Sequence, residues 1–219
     1  EAIAELAIAP DGDIGVDDYI YGGDLTNWIK FANSLKLRIL LRTSEVTPQG
    51  AAIQALIGAG TFIEEESEMP FVPFSGASGS QNPMYAVAEF GVGDFYFASN
   101  ATLNVLSDLA DPRGTAFYAL ATTGTFAGTL HGIDQGTIDD EPFTNPATHY
   151  SGSSDIAYGE ANSVILMSPW EVWFLRAEAD ARYGTADNEV TAFTNAVTAN
   201  FDYLGVAGAA AEAAEEQTE

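Results

Sequence analysis

Acidic side chains are the most numerous groups capable of chemistry in this sequence. It has 32 Asp and Glu residues against seven Lys and Arg, with two His, no Cys and a net charge of −25. The lack of cysteine excludes disulfides, thiolate metal sites and a cysteine nucleophile. Neither the Gly-x-Ser-x-Gly nor the His-Glu-x-x-His motif occurs. A carboxylate pair could still hydrolyse a glycosidic bond, but most acids must be solvated surface. We therefore predict no catalytic residues and no cofactor.

Aromatic and hydrogen-bonding side chains in the irregular parts of the chain favour a second chemistry, the binding of sugars. Aromatic rings pack against the apolar faces of sugars, and polar side chains bind the hydroxyl groups. Phe95 and Phe97, on either side of Tyr96, could instead bury one face of a strand. Tyr85 and Tyr150, with polar or small neighbours, are the stronger candidates. We predict ligand contacts from Asn82, Tyr85, Phe95, Tyr96, His131, His149, Tyr150 and Tyr158.

Two acidic clusters, at residues 11–18 and 139–141, have the composition of a site for an oxygen-bound cation. The first lacks the third alternating ligand and the glutamate at position twelve that an EF-hand loop requires. Runs of like charge are usually solvated. We interpret both clusters as solvated acidic turns and predict no metal site.

Four of the seven basic residues lie within NWIKFANSLKLRILLR, residues 27–42. On a helical wheel, one face carries Trp28 and Ile39, and the opposite side carries Leu37 and Leu41. A helix that is apolar on nearly all sides is typical of a buried position. We therefore predict a buried helix over residues 24–43.

A second strong helical segment is SPWEVWFLRAEADARY. Ser168-Pro169 resembles a helix start, with a capping residue followed by proline at the first turn. Gly184 has the position of a residue that ends a helix. Apolar residues spaced by three and four over residues 190–201 predict a further helix, so the two form a helical hairpin.

The two predicted helices carry complementary charges. Arg38 and Arg42 lie one turn apart on one flank of the first, and Glu171 and Glu178 share an edge of the second. A buried charge without a partner is very costly. We predict that both arginines face inward, that at least one Arg–Glu pair joins the helices, and that breaking a buried pair costs about 3 kcal/mol.

Irregular, Gly- and Pro-rich segments occupy about residues 61–99 and 114–163, and an acidic, low-complexity tail with little to pack occupies residues 206–219. No apolar run approaches the ~20 residues of a membrane-spanning helix. A surface this negative repels nucleic acid and anionic lipid, so we predict neither as a partner.

Four stretches in this order resemble the SusD/RagB family, the outer-membrane nutrient-binding lipoproteins of Bacteroidetes. They are residues 17–42, Asp-Pro-Arg at 111–113, GTLHG at 128–132 and residues 165–184. The resemblance covers about residues 10–205, although members of this family are roughly twice as long. It implies a mainly α, SusD-like fold in which tetratricopeptide-like hairpins support long ligand-binding excursions, with residues 1–205 forming part of one domain.

The resemblance also implies a function. Such a protein lies at the surface of the outer membrane, where it binds oligosaccharides or peptides for a SusC-like TonB-dependent transporter. Its contact with the membrane is a lipid anchor that is not present in this segment. The alternatives are a glycan-active hydrolase with a carboxylate pair and a structural helical-repeat adaptor.

Overall fold

The structure is a computed structural model that describes residues 2–8, 12, 14–87, 96–136 and 146–216. It is mainly helical, as predicted. The residues form two compact units. The first comprises Glu1–Val72, Ile165–Tyr203 and Gly208–Glu219, and the second comprises Pro73–Val164 and Leu204–Ala207. The second unit therefore contains most of both irregular segments.

Within the described residues, the elements follow one another as α1 (Ala2–Leu6), α2 (Leu25–Thr43), α3 (Gly50–Ala59), β1 (Phe71–Val72), α4 (Pro83–Val87), α5 (Asn100–Asp108), α6 (Gly114–Phe117), α7 (Pro146–His149), α8 (Asp155–Tyr158), β2 (Val164–Ile165), α9 (Pro169–Tyr183), α10 (Glu189–Leu204) and α11 (Ala209–Glu216). Short 3₁₀ turns occur at Gly15–Asp17 and Glu66–Glu68. The strands β1 and β2 pair with each other. No described helix is long and apolar enough to cross a membrane.

The core of the first unit lies between α2, α3 and α9. Asp24 caps the start of α2, where its carboxylate accepts hydrogen bonds from the backbone N–H groups of Thr26 and Asn27. This stabilises the first turn, whose N–H groups have no partner within the helix. The large buried side chains of this core come from all three helices, from the segment after α3 and from the residue before Ser168: Leu37, Leu41, Ile53, Leu56, Ile57, Phe62, Ile63, Met167, Val172 and Leu175.

The burial of α2 differs from the sequence prediction. Leu37 is fully buried, whereas Ile39 is 53% exposed, so α2 is not buried on all sides within the described residues. Two polar residues are buried instead. Ser34 Oγ accepts a hydrogen bond from the Ile63 backbone N–H at 3.1 Å, and Asn33 Nδ2 donates one to a carbonyl of the same segment. These bonds satisfy polar backbone groups that would otherwise be costly to bury.

The predicted ion pair between α2 and α9 is present. Arg38 Nη2 lies 2.6 Å from Glu171 Oε2. The other two residues behave differently from the prediction: Arg42 is exposed and makes no ion pair within the described residues, and Glu178 pairs with Arg182 on its own helix. The Arg38 and Glu171 side chains are 29% and 37% exposed, so the bridge is partly solvated and the expectation of about 3 kcal/mol is too large.

The predicted hairpin of α9 and α10 is confirmed. Ser168 caps α9 by accepting a hydrogen bond from the Glu171 backbone N–H at 3.2 Å. Gly184 ends the helix with φ of 60°, the left-handed conformation that glycine adopts without strain. The local signals in the sequence were therefore sufficient to set both ends of this helix.

The prediction that the acidic tail has little to pack is wrong. Its residues 209–216 form α11, in which Glu212 and Ala213 are buried. Alanine is the strongest helix former and its small side chain permits close packing. The composition that resembled a low-complexity tail is thus that of a short packed helix.

The second unit is held together by backbone hydrogen bonds between irregular segments. The Ala98 N–H donates to the Ser151 carbonyl at 2.8 Å, and the Ala98 carbonyl accepts from the Ile133 N–H at 2.9 Å. An antiparallel bridge also joins Tyr118 to Ser153. These bonds bring segments distant in sequence side by side, although few of their residues form regular strands.

Candidate functional site

An aromatic stack of Phe126, His131, His149 and Tyr150 lies in the second unit. The rings of Phe126 and His131 are stacked, with centroids 3.7 Å apart and planes 11° from parallel. Tyr150 lies on the other side of His131 at 5.1 Å and 14°. His149 meets all three rings edge-on, at 5.4 to 6.4 Å. The two histidines of the chain are thus brought together with two aromatic rings.

Ser151 fixes the centre of the aromatic stack. Its backbone N–H donates to the His131 carbonyl at 2.7 Å, and its Oγ accepts from the His131 N–H at 3.0 Å. Ser151 is itself fully buried. Two hydrogen bonds in opposite directions hold the segments of His131 and Tyr150 in one register, which places their rings in contact.

The loop that carries Phe126 is held against α7. The N–H groups of Thr122 and Thr123 both donate to the Thr148 carbonyl. Gly124 follows with φ of 76°, and a side chain there would overlap the His149 ring. Gly124 therefore permits both the left-handed turn and the close approach of His149.

Exposure divides the aromatic stack into a supporting part and an accessible part. Tyr150 is only 3% exposed, whereas Phe126 is 37% exposed. Because one face of the Phe126 ring covers His131, a ligand can reach the ring only from the other face or the edge. Such a ring face suits the apolar face of a sugar. Tyr96 is also exposed, and its neighbour Phe97 contacts Tyr150 at 5.5 Å.

Two of the predicted ligand residues have roles in the fold instead. Asn82 is buried: its Nδ2 donates to the Asn162 carbonyl at 2.7 Å, and its Oδ1 accepts from the Met84 N–H at 2.8 Å at the start of α4. Tyr150, one of the two stronger candidates, is buried within the aromatic stack. Neither side chain offers a surface to a ligand, and we correct both assignments.

The remaining candidates are dispersed. Tyr85 is half-buried on α4, and Tyr158 is the last residue of α8. Phe95 lies outside the described residues. The structure thus brings His131, His149 and Tyr150 together, with Tyr96 beside Phe97 in sequence.

Phe126 was missed by sequence reasoning. It lies in the sequence GTFAG, between Gly124 and Gly128, which both have positive φ angles. An aromatic residue between two turn-forming glycines is placed on a tight loop, where a ring is difficult to bury completely. That pattern is the signal that would have indicated an exposed ring.

Asp111 and Arg113, which follow α5, are engaged with each other. Asp111 accepts hydrogen bonds from Arg113 Nη2 at 2.7 Å, Nε at 3.0 Å and the backbone N–H at 2.8 Å. Burial raises the pKa of Asp111, but these bonds and the positive charge outweigh burial and lower it.

The described residues contain no His, Asp and Glu cluster suited to a metal ion. Residues 11, 13 and 139–141 of the two acidic clusters lie outside the described part.

The structure is thus mainly helical, with an irregular second unit that carries the aromatic stack. A family model described as SusD-like, starch-binding and associating with the outer membrane matches residues 1–216. The chain belongs to this SusD-like family.

Solved SusD homologues share the fold. One from Bacteroides uniformis has a TM-score of 0.79 at 22% identity, over 96% of this chain and 43% of that one. A chitin-binding homologue from Flavobacterium johnsoniae has a TM-score of 0.77 at 21% identity, with the same coverage. One from Bacteroides vulgatus has a TM-score of 0.76 at 26% identity, over 96% of this chain and 42% of that one. The chain therefore spans less than half the length of these relatives. A comparison with curated proteins gave no match.

Proposed function

We propose that this protein binds neutral oligosaccharides at the surface of the outer membrane and delivers them to a SusC-like TonB-dependent transporter. The observation that carries the proposal is the exposed face of Phe126 on the aromatic stack. Membership of a family described as starch-binding supports the ligand class.

The aromatic stack prepares Phe126 for a ligand. Its ring rests on His131, which in turn rests on the buried Tyr150. A ring already held in place loses little conformational freedom when a sugar packs on it, so more of the contact energy appears as affinity. The exposed Tyr96 supplies a second ring with a hydroxyl group in the same unit.

The charge of the protein favours a neutral ligand. At a net charge of −25, the field around the chain repels anions. Uncharged sugars are bound through ring contacts and hydrogen bonds, and this field does not repel them. Acidic polysaccharides and acidic peptides are correspondingly disfavoured.

A screen of immobilised glycans and peptides tests the ligand class. We expect binding to neutral glycans, with each soluble oligosaccharide recovered at unchanged length after incubation. Shortened products would instead establish a hydrolase. Binding to peptides alone would replace the sugar by a peptide ligand, and the absence of binding to both would overturn the proposal.

Delivery to a transporter is tested separately. The full-length protein, expressed in its native membrane, should co-purify with a large β-barrel protein after mild solubilisation. Purification without such a partner, while glycan binding is retained, would restrict the function to binding.

A further inference from the structure

We propose that a cavity beside α5 in the second unit is an additional site for one neutral sugar unit; this inference rests on the proposed function. The cavity has a volume of about 500 Å³. That lies within the range of about 300–1,000 Å³ for small-molecule sites. It is separate from the exposed face of Phe126, because no residue of the aromatic stack lines it.

The uncharged polar side chains of the cavity come from α5. Asn100, Asn104 and Ser107 are spaced by four and three residues, so they lie in a row along the helix. Asn100 is engaged, since its Nδ2 donates to Asp134 Oδ1 at 2.9 Å. The side chains of Asn104 and Ser107 are exposed and make no hydrogen bond within the described residues. An amide and a hydroxyl group are therefore available to a ligand, as donors and acceptors.

The cavity also has apolar lining residues. Leu103, Leu106 and Leu130 contribute to its lining. A sugar ring presents C–H groups on its faces and hydroxyl groups around its edge, so it requires apolar and hydrogen-bonding surfaces together. The cavity offers both kinds of surface.

The lining is electrically neutral. Asp111 is the one ionisable residue among the described lining residues, and its carboxylate is held by Arg113 with only 4% of the side chain exposed. A ligand cation finds no free carboxylate there, and a ligand anion finds no free guanidinium. This selects an uncharged hydrogen-bonding ligand and disfavours uronic acids and phosphorylated sugars.

The chain links this cavity to the aromatic stack. Leu130 lines the cavity, and the next residue is His131 of the stack. Two sites carried by adjacent residues of one segment could receive different units of the same oligosaccharide.

The test is a titration of the ¹⁵N-labelled chain with glucose and with N-acetylglucosamine, observed through the backbone amide of Ser107, which lines the cavity and is retained in every variant. We expect this amide signal to shift, and the binding constant to weaken about tenfold in Asn104→Leu, which has nearly the same size but cannot hydrogen-bond. Thr102→Val makes a similar change on α5 outside the cavity and should alter the constant less than about twofold. Glucuronic acid should not shift the signal.

The outcomes separate this inference from the proposed function. If Asn104→Leu binds both sugars like Thr102→Val, the cavity is not a sugar site, although binding at Phe126 would still support the proposed function. A shift with glucuronic acid as large as with glucose would overturn the neutral-ligand assignment. If Phe126→Ala abolishes oligosaccharide binding while the Ser107 backbone signal still responds to glucose, the two sites are independent.

Discussion

At the scale of the residue, Asp18 organises the loop that precedes α2. Its carboxylate accepts hydrogen bonds from the indole N–H of Trp28 at 2.7 Å and from the backbone N–H groups of Gly23, Tyr21 and Ile20. Burial raises the pKa of Asp18, but these bonds favour the ionised form more strongly and lower the pKa to about 2. The acidic turn therefore has a structural role at this residue.

This gives a pH dependence of stability. Because the folded pKa of about 2 lies below the ordinary 3.8, ionised Asp18 stabilises the fold above pH 3.8, and this contribution is lost as the pH falls through about 2. The difference in the free energy of unfolding between the parent and Asp18→Asn, measured with urea, should therefore shrink as the pH falls from 3.8 to about 2. Asp202→Asn, which removes an exposed carboxylate, is the control. A difference for Asp18→Asn that stayed constant across the window would refute this role.

At the scale of the element, the bridge between α2 and α9 fixes how two core helices pack. The Arg38–Glu171 pair is partly solvated, so we expect a coupling energy of about 0.5–1 kcal/mol in a double-mutant cycle of Arg38→Ala and Glu171→Ala. The exposed pair Glu178–Arg182 within α9 serves as the comparison and should couple by about 0.3–0.5 kcal/mol. A coupling near 3 kcal/mol for the bridge would instead establish a desolvated pair.

The end of α5 contains a strained residue. Ala110 has a φ angle of 52°, the one positive value for a non-glycine among the described residues. Its N–H donates to the Ser107 carbonyl, and the Asp111 N–H donates to the Leu106 carbonyl at 2.8 Å. These two bonds form the left-handed helix end that glycine normally provides.

Replacement of this alanine should therefore stabilise the protein. We expect Ala110→Gly to raise the free energy of unfolding by about 0.5–1 kcal/mol, since the strain removed exceeds the entropy that glycine adds to the unfolded chain. Ala181→Gly, on the exposed surface of α9, should lower it by about 1 kcal/mol. The urea midpoint of unfolding should therefore rise in Ala110→Gly and fall in Ala181→Gly. A lower midpoint in both variants would exclude strain at Ala110.

Elements were predictable where the signals are local. Ser168 and Gly184 set the ends of α9 by contacts within a few residues, so the sequence contains all the information required. The buried face of α2 depends on hydrogen bonds from Asn33 and Ser34 to residues 61–63. Polar residues that are buried by a distant segment have no periodic signature.

At the scale of the whole molecule, the net charge of −25 affects stability. Repulsion among acidic groups opposes the compact state, and salt screens it. The melting temperature should therefore rise from low salt to about 1 M NaCl, where the Debye length is ~3 Å. KCl should act alike, because screening depends on ionic strength. A melting temperature that is flat or falls across this range would exclude net repulsion as a significant term.

The candidate site was only partly predictable, because it too depends on contacts between segments that are distant in sequence. Both histidines and Tyr150 were identified from residue type, and the structure brings them together. Their burial could not be inferred, because it depends on the backbone pairing of residues 131 and 151 and on the loop around Gly124. Residue type indicates which side chains suit a sugar, whereas exposure decides which of them can reach one.

The most direct test of the central claim is a calorimetric titration with maltotriose and triacetylchitotriose. The parent chain should bind at least one of them with a dissociation constant in the micromolar range, which corresponds to a binding free energy of about −8 kcal/mol. Phe126→Ala should weaken that binding at least about fivefold. Phe174→Ala is the matched control, because this ring is 39% exposed and contacts one other phenylalanine in the first unit; it should bind like the parent. Equal binding by the parent and both variants would contradict the claim that Phe126 contacts the oligosaccharide.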